Sequence, residues 1–414
     1  MRASSLARMY RAARADAANP RMRFSRPEPV ELRRGATVLC ESKSEEAFWT
    51  GFAGALESKA LRPKDFSIRE LFEALVPNGR EIVDSWNPRH GGGGESLTLL
   101  EASGAVESAA FKNISGQIVY SAFLEGFADE GYVFSAIFPT VSTQFSGERI
   151  AGITKLAGGE DYVIPEGKTY PRIGPAEDYI DTPQTAKHGV MSGLTKEAIF
   201  FDKTGQLVQQ AGDVGREMGY WREVSAIDAF IDENATVHRY KWKGTTYANY
   251  QTSTPWDNTT ASAALVDWTD VDEAEQTLAA IVDPNTGRPI INTPKDIVVT
   301  RQILNAAKRV LSATELRFGD GTSNTTQQIF ANPIQSYRIL SSQMLGARMA
   351  TDTTWYLGDL ARMVKCMENW PLTVVQAPVN AEAEWNRDIV MEWKASHRYV
   401  YAVVEPRVTT KCTA

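Results

Sequence analysis

The sequence predicts an α+β protein, because its hydrophobic period changes along the chain. Between Thr204 and Ile231, the residues Leu207, Ala211, Val214, Met218, Trp221, Val224, Ile227 and Ile231 recur three or four positions apart, the period of a helix with one buried face. Between Asp388 and Val404 there is no Gly or Pro, and Val, Ile, Tyr and Trp dominate, as in a long strand. Short strand-like and helix-like runs fill the interval.

Taken in order, residues 1–95 read as an arm with short helices. Leu6, Met9, Tyr10 and Ala13 keep a helical spacing until Pro20, Pro27 and Pro29, where a fixed φ and a missing N–H break the pattern. Glu45 to Leu56 is a second helical candidate. A third is Ser67 to Val76, with Ser67 as N-cap and Glu70 three residues on, ended by Pro77-Asn78-Gly79. The run His90-Gly91-Gly92-Gly93-Gly94 is a flexible joint and the first boundary.

Residues 150–203 read as a projecting hairpin. Ile153 to Leu156 and Ala198 to Phe201 are its strand-like ends; between them Gly158-Gly159, Pro165, Gly167, Pro171, Gly174-Pro175 and Pro183 lie among charged residues. A loop of about 50 residues with so little apolar content is unusual inside a compact domain, so it is expected to reach towards a neighbour.

The helix at 204–231 follows, about 28 residues and roughly 40 Å long. Gly212, Gly215 and Gly219 cost it about 1 kcal/mol each relative to alanine, and so mark a close backbone approach or a bend. Beyond it, Val237 to Lys243 and Thr246 to Tyr250 are strand-like, Asp272 to Ile281 is a short amphipathic helix, and Asp283-Pro284-Asn285-Thr286-Gly287 is a turn. Pro294 to Thr300 predicts a strand, Arg301 to Leu311 a helix and Gly319 to Asn324 part of a long loop. The remaining strands are expected at Tyr337 to Leu340, Thr354 to Leu357, Leu372 to Val375 and Asp388 to Val404.

At 414 residues the chain is long enough for two or three packed units, and 43% hydrophobic with 23% charged residues excludes wholesale disorder, collagen and coiled coil. The net charge of −7 is unevenly spread. Residues 1–34 hold nine arginines against three acids, a local +6 that leaves −13 on the other 380. Met1 to Tyr10 is Arg-rich like an organellar presequence but lacks the apolar stretch of a secretory signal. A subunit-wrapping arm is the favoured reading of these arginines, ahead of DNA contact. Cys40, Cys366 and Cys412 are odd in number and far apart, which fits a reducing compartment rather than a disulfide framework. The most apolar stretch, Ile118 to Phe138, is broken by Glu125, Asp129 and Glu130, so no membrane span is expected.

Catalytic signatures are incomplete. The glycines after His90 resemble an oxyanion-hole motif, but no Gly-x-Ser-x-Gly accompanies them, and the joint reading outweighs a hydrolase. Gly167-Lys168-Thr169 carries the tail of a P-loop, yet Tyr162 replaces the glycine it needs. Asp320 to Asn324 lacks the closing glutamate of a calcium loop. His90, His188, His238 and His397 have no metal-ligand spacing, and the acids at Glu45-Glu46 and Asp270 to Glu275 read as solvated faces or helix starts. No catalytic residue, metal site or cofactor is expected.

Over residues 105–410 the order of parts resembles the major capsid protein of tailed bacteriophages, a fold shared with encapsulin shells and the floor of herpesvirus capsids. Gly131-Tyr-Val-Phe-Ser-Ala-Ile-Phe-Pro-Thr140 looks like the end of an N-terminal arm, 150–203 like the extended loop, and 204–231 like the spine helix. Ile281 to Lys308 resembles the start of the axial domain, and Trp393 to Arg407 the strand returning to the peripheral domain. The resemblance divides the chain into an N-terminal extension and arm (1–149), the extended loop (150–203), a peripheral domain with the spine helix (204–280), an axial domain (281–387) and a C-terminal return strand (388–414).

That resemblance implies a shell protein without catalysis, built into pentamers and hexamers around packaged double-stranded DNA. It implies a place in the virion, assembled in the host bacterial cytoplasm, with no cofactor and no membrane. Its partners would be further copies of itself, a portal, cement or scaffolding proteins, and DNA held non-specifically. Lys155, Glu160, Glu166, Lys168, Arg172, Asp178 and Lys187 are then expected to contact neighbouring subunits, and Arg8, Arg11, Arg14, Arg21 and Arg23 to carry arm contacts. Some relatives cross-link a hairpin lysine to an asparagine; Lys155, Lys168 and Lys187 are available, although a solvated charge is their commoner role. Residues 1–95 are too broken by Pro and Gly for the long charged-helical scaffolding segment of many relatives. The alternatives are an encapsulin-like shell holding enzyme cargo, a cytosolic hydrolase using the His90 run, and a DNA-binding protein using the arginine arm.

Overall fold

The structure is a computed structural model that describes residues 118–128, 131–152, 154, 163–170, 177–201, 204–233, 240–261, 263–319, 327–334, 337–376 and 389–413. The helices expected within residues 1–95, the glycine joint at 90–94 and the loop at 320–324 lie outside the described residues. Helices and sheets both contribute, so the α+β class holds. The chain divides into two units: one takes in residues up to Asp129 with His188–Gly219 and Leu372–Ser396, the other Glu130–Lys187, Tyr220–Pro371 and His397–Ala414.

The second unit holds the larger core. Its five-stranded sheet runs in the order Arg338–Leu340, Asp296–Val299, Trp355–Gly358, Thr409–Cys412, Thr259–Thr260. Asp296–Val299 and Trp355–Gly358 are buried at every position, as expected for strands covered on both faces. The helix Trp268–Ala280 sets Val271, Ala274 and Leu278 into this core, and Leu304–Ser312 sets Leu304, Ala307 and Val310. The first of these starts four residues before the expected Asp272, because Asp267 and Asp270 form a reciprocal capping box. The turn at 283–287 forms as its residues predict: the Gly287 amide donates to the Asp283 carbonyl at 2.7 Å, and Gly287 has φ +66°.

A second sheet of the same unit runs Arg149–Ala151, Tyr179–Asp181, Tyr240–Trp242, Thr245–Tyr247. A further four-stranded sheet has the order Thr140–Ser142, Val364–Gln376, Ile389–Val403, Ala186–Thr195. The long helix spans Thr204–Ile231, the bounds its period predicts. Trp221 is exposed, not part of the buried stripe. In the first unit the glycine expectation is met at Gly215, where a Cβ would stand 2.2 Å from the Phe123 carbonyl oxygen; on Gly126, opposite, it would stand 2.1 Å from that of Gly212.

One expectation needs correction. Ala198 to Phe201 is not a strand: Lys196–Phe200 is a short helix, and the Ala198 amide donates to Thr195 Oγ1 at 3.3 Å as an N-cap bond. Of the strand expected at Ile153 to Leu156 only Thr154 is described, and it lies outside the strand Arg149–Ala151. The strand expected at Leu372 to Val375 is present and longer, running from Val364 through Pro371 to Gln376. Thr409–Cys412 is a strand the sequence did not announce.

A candidate assembly segment and its anchorage

Residues 152–178 connect two short strands of the second unit. Arg149–Ala151 and Tyr179–Asp181 pair antiparallel, with Ile150 opposite Ile180 and Arg149 opposite Asp181. Arg149 Nε donates to Asp181 Oδ1 at 2.9 Å, and its guanidinium lies 4.3 Å from the centre of the Tyr179 ring. Within these residues the Lys168 amide donates to the Pro165 carbonyl at 3.1 Å and Gly167 has φ +81°, a tight turn that needs glycine at its third position. Flanking the turn, Val163 is 73% and Tyr170 83% exposed.

The base is built differently. Asp178 is buried, and its carboxylate accepts from Trp242 Nε1 at 2.5 Å and from the Thr154 amide at 3.0 Å. The Gly152 amide donates to the Asp178 carbonyl at 3.0 Å. Thr154 Oγ1 donates to Asp283 Oδ2 at 2.5 Å, and Asn285 Nδ2 donates to Thr154 Oγ1 at 3.3 Å. Asp283 Oδ1 stands 3.6 Å from Arg407 Nη1, an ion-pair distance. Arg407, with no exposed surface, binds Glu405 through both Nε and Nη2 at 2.6 and 2.9 Å.

Burial acts to raise the Asp283 pKa, but bonds from Thr154, Thr286 and the Asn285 amide outweigh it and hold the group below its ordinary value. For Glu405 burial prevails over Arg407 and the pKa is raised. Tyr240 is pushed up, first by burial and then by the charge of Glu405. The two described cysteines are buried; desolvation raises the Cys366 thiol and pushes that of Cys412 up to about 12, which makes both poor nucleophiles.

A second anchorage lies in the later half of the long helix. The buried carboxylate of Glu223 accepts the amides of Val133, Phe134 and Ser135 at 2.9, 2.8 and 2.8 Å, at the start of the short helix Phe134–Ile137. Its neighbour Arg222 donates to Tyr401 Oη at 3.2 Å and stands 3.7 Å from Glu368.

Of the residues expected to contact a neighbour, Glu166, Lys168 and Lys187 are exposed. Asp178 departs from that expectation, because its carboxylate is occupied inside the chain. Lys155, Glu160, Arg172 and the arginines Arg8, Arg11, Arg14, Arg21 and Arg23 lie outside the described residues. Sequence reasoning missed Thr154, Glu223, Trp242, Asp283, Glu405 and Arg407 as anchors. The signal for two of them was a glutamate and an arginine, 405 and 407, flanking a proline within an apolar C-terminal run.

Among the described residues, no three His, Cys, Asp or Glu side chains gather as a metal would require, and no helix is long and apolar enough to cross a membrane. An open hollow of about 270 Å³ beside Trp256, Thr277, Ile281 and Val282 has Asp257 as its one titratable lining residue.

The sequence of residues 179–412 matches the family described as phage capsid protein. No curated protein matches. The structure is similar to the capsid of a native GTA particle, at 14% identity over 69% of this chain and 90% of that one, with a TM-score of 0.43. It is similar to a structure of Mycobacterium phage Bobi at 13% identity, covering 69% and 91%, with a TM-score of 0.43. A virus-like particle from Pyrococcus furiosus is 10% identical, covering 71% and 96%, with a TM-score of 0.36. A family match running from the strand Tyr179–Asp181 to the strand Thr409–Cys412 covers more than half of the sequence, and the chain therefore belongs to the phage capsid protein family of structural proteins.

Proposed function

We infer that the chain is the major subunit of an icosahedral phage head, self-assembling as pentamers and hexamers around double-stranded DNA. Beyond the family, one observation carries this reading: the 152–178 segment is tied down at its base yet leaves Val163 and Tyr170 uncovered, which suits a segment completed by another subunit. In this reading the five divisions of the chain serve as extension and arm, extended loop, peripheral domain, axial domain and return strand. Lys155, Glu160, Glu166, Lys168, Arg172 and Lys187 contact a neighbouring subunit, and Arg8, Arg11, Arg14, Arg21 and Arg23 contact a neighbour or DNA. Asp178 serves from within, by holding the segment. The −13 on residues 35–414 keeps the body from sticking to DNA, leaving that contact to the basic arm. Portal and scaffolding or cement proteins complete the head, which forms in the host bacterial cytoplasm and persists in the virion without catalysis.

Negative-stain electron microscopy of the purified protein, expressed alone and with the neighbouring structural genes, tests the reading. Closed shells tens of nanometres across are expected in at least one condition. A homogeneous monomer or dimer in both would overturn it.

A further inference from the structure

We propose that Asp178 and Thr154 are positioning residues that fix the direction of the extended segment against the subunit's own core, through a buried chain of contacts ending at Arg407 and Glu405. The consequence for assembly rests on the shell reading above; the latch itself does not.

Two legs joined by three-residue strands have little intrinsic rigidity, since a short pair fixes few torsions and leaves a hinge at its ends. Here the residues just past those strands are locked. On one leg Gly152 and Thr154 give their amides to Asp178 of the other. Gly152 has no room for a side chain: a Cβ there would stand 2.2 Å from Asp178 Oδ2. Each leg is also tied to a different part of the core, Asp178 to Trp242 on its strand and Thr154 to Asp283 in its turn. Asp283 in turn faces Arg407, which Glu405 holds by two bonds. Asp178, Thr154, Trp242, Asp283, Glu405 and Arg407 are all buried, so water does not compete for these bonds and each is stronger than it would be at the surface.

A loop held only by its neighbours adopts whatever angle the first contact allows. A loop aimed by its own subunit meets the neighbour at one angle, and that angle enters the curvature of a closed shell at every repeat. The network is therefore placed to select one particle size.

Hydrogen exchange on the unassembled subunit reads the latch without assembly. In the wild type, the amides of Gly152 and Thr154 are expected to exchange at least about tenfold more slowly than those of Val163 and Tyr170; equal rates would overturn the proposal. Asp178→Asn offers one oxygen to two donors and should raise exchange at Thr154 about tenfold. Thr154→Val removes the bond to Asp283, and Thr154→Ser restores it. Electron microscopy of assembled particles then reads the consequence: D178N and T154V are expected to give shells of mixed size or open sheets, and T154S the wild-type distribution. Raised exchange with an unchanged size distribution would sink the positioning role. If D178N does not fold, the Thr154 pair carries the test, because both variants leave the Asp178 carboxylate in place. A wild type that never forms shells would refute the shell reading, while the exchange data would still decide the latch.

Discussion

Replacing Glu223 by glutamine isolates the second anchorage with almost no change of shape. In the native chain one carboxylate accepts three amides, from Val133 and Phe134 on Oε1 and from Ser135 on Oε2. The glutamine oxygen can keep the first pair, as neutral bonds worth about 1 kcal/mol each instead of charge-assisted ones worth about 1.5–3. Its amide group then meets the Ser135 N–H donor to donor. Losing one charge-assisted bond outright and weakening two more should cost about 3 kcal/mol. Because the volume is unchanged, no cavity adds to that sum. Urea unfolding of the unassembled subunit measures it, and exchange at residues 133–135 localises it: rates there should rise before any global change. A loss below about 0.5 kcal/mol with unchanged exchange would refute the claim that Glu223 holds the start of the helix Phe134–Ile137.

Three further outcomes follow from the same contacts. Arg407→Met should destabilise the subunit by about 3–5 kcal/mol, since it leaves Glu405 buried and unpaired; adding Glu405→Leu should recover much of that loss, a double-mutant cycle read by urea unfolding. Asp283 titrates below its ordinary 3.8 in the fold, so its stabilisation is full above that value and disappears as pH falls through the folded value. Asp283→Asn should accordingly lower stability at pH 7 and flatten the fall in urea midpoint as the pH drops below about 4; an unaltered acid slope would contradict the assignment. Gly215→Ala should cost about 1–3 kcal/mol because its Cβ meets the Phe123 carbonyl, whereas Gly205→Ala, which meets nothing within 4 Å, should stabilise the helix by up to about 1 kcal/mol. Thermal melting of the pair checks the contrast.

The parts that were legible in the sequence are those whose signal is local and repeated. The helix Thr204–Ile231 and the strand Ile389–Val403 each carry many residues in one period, so a single deviation such as Trp221 does not blur them. The turn at Asp283–Gly287 was legible because its residues suit few other conformations. The capsid resemblance rested on the order of such elements, and the family match covers most of them.

What the sequence by itself determined is the class of fold, the long elements, the uneven charge and the family. Only tertiary structure decided the rest. Phe200 and Phe201 suit a strand by composition, but the Thr195 cap starts a helix there. Val364 to Pro371 becomes strand because Thr140–Ser142 lies beside it, and that partner is more than 200 residues away. Asp178 reads as one more charge on a polar loop until Trp242, Thr154 and the Asp283–Arg407–Glu405 chain surround it. The physical reason is the same in each case: period and propensity are properties of neighbours in sequence, whereas burial and hydrogen-bond partnership belong to neighbours in space.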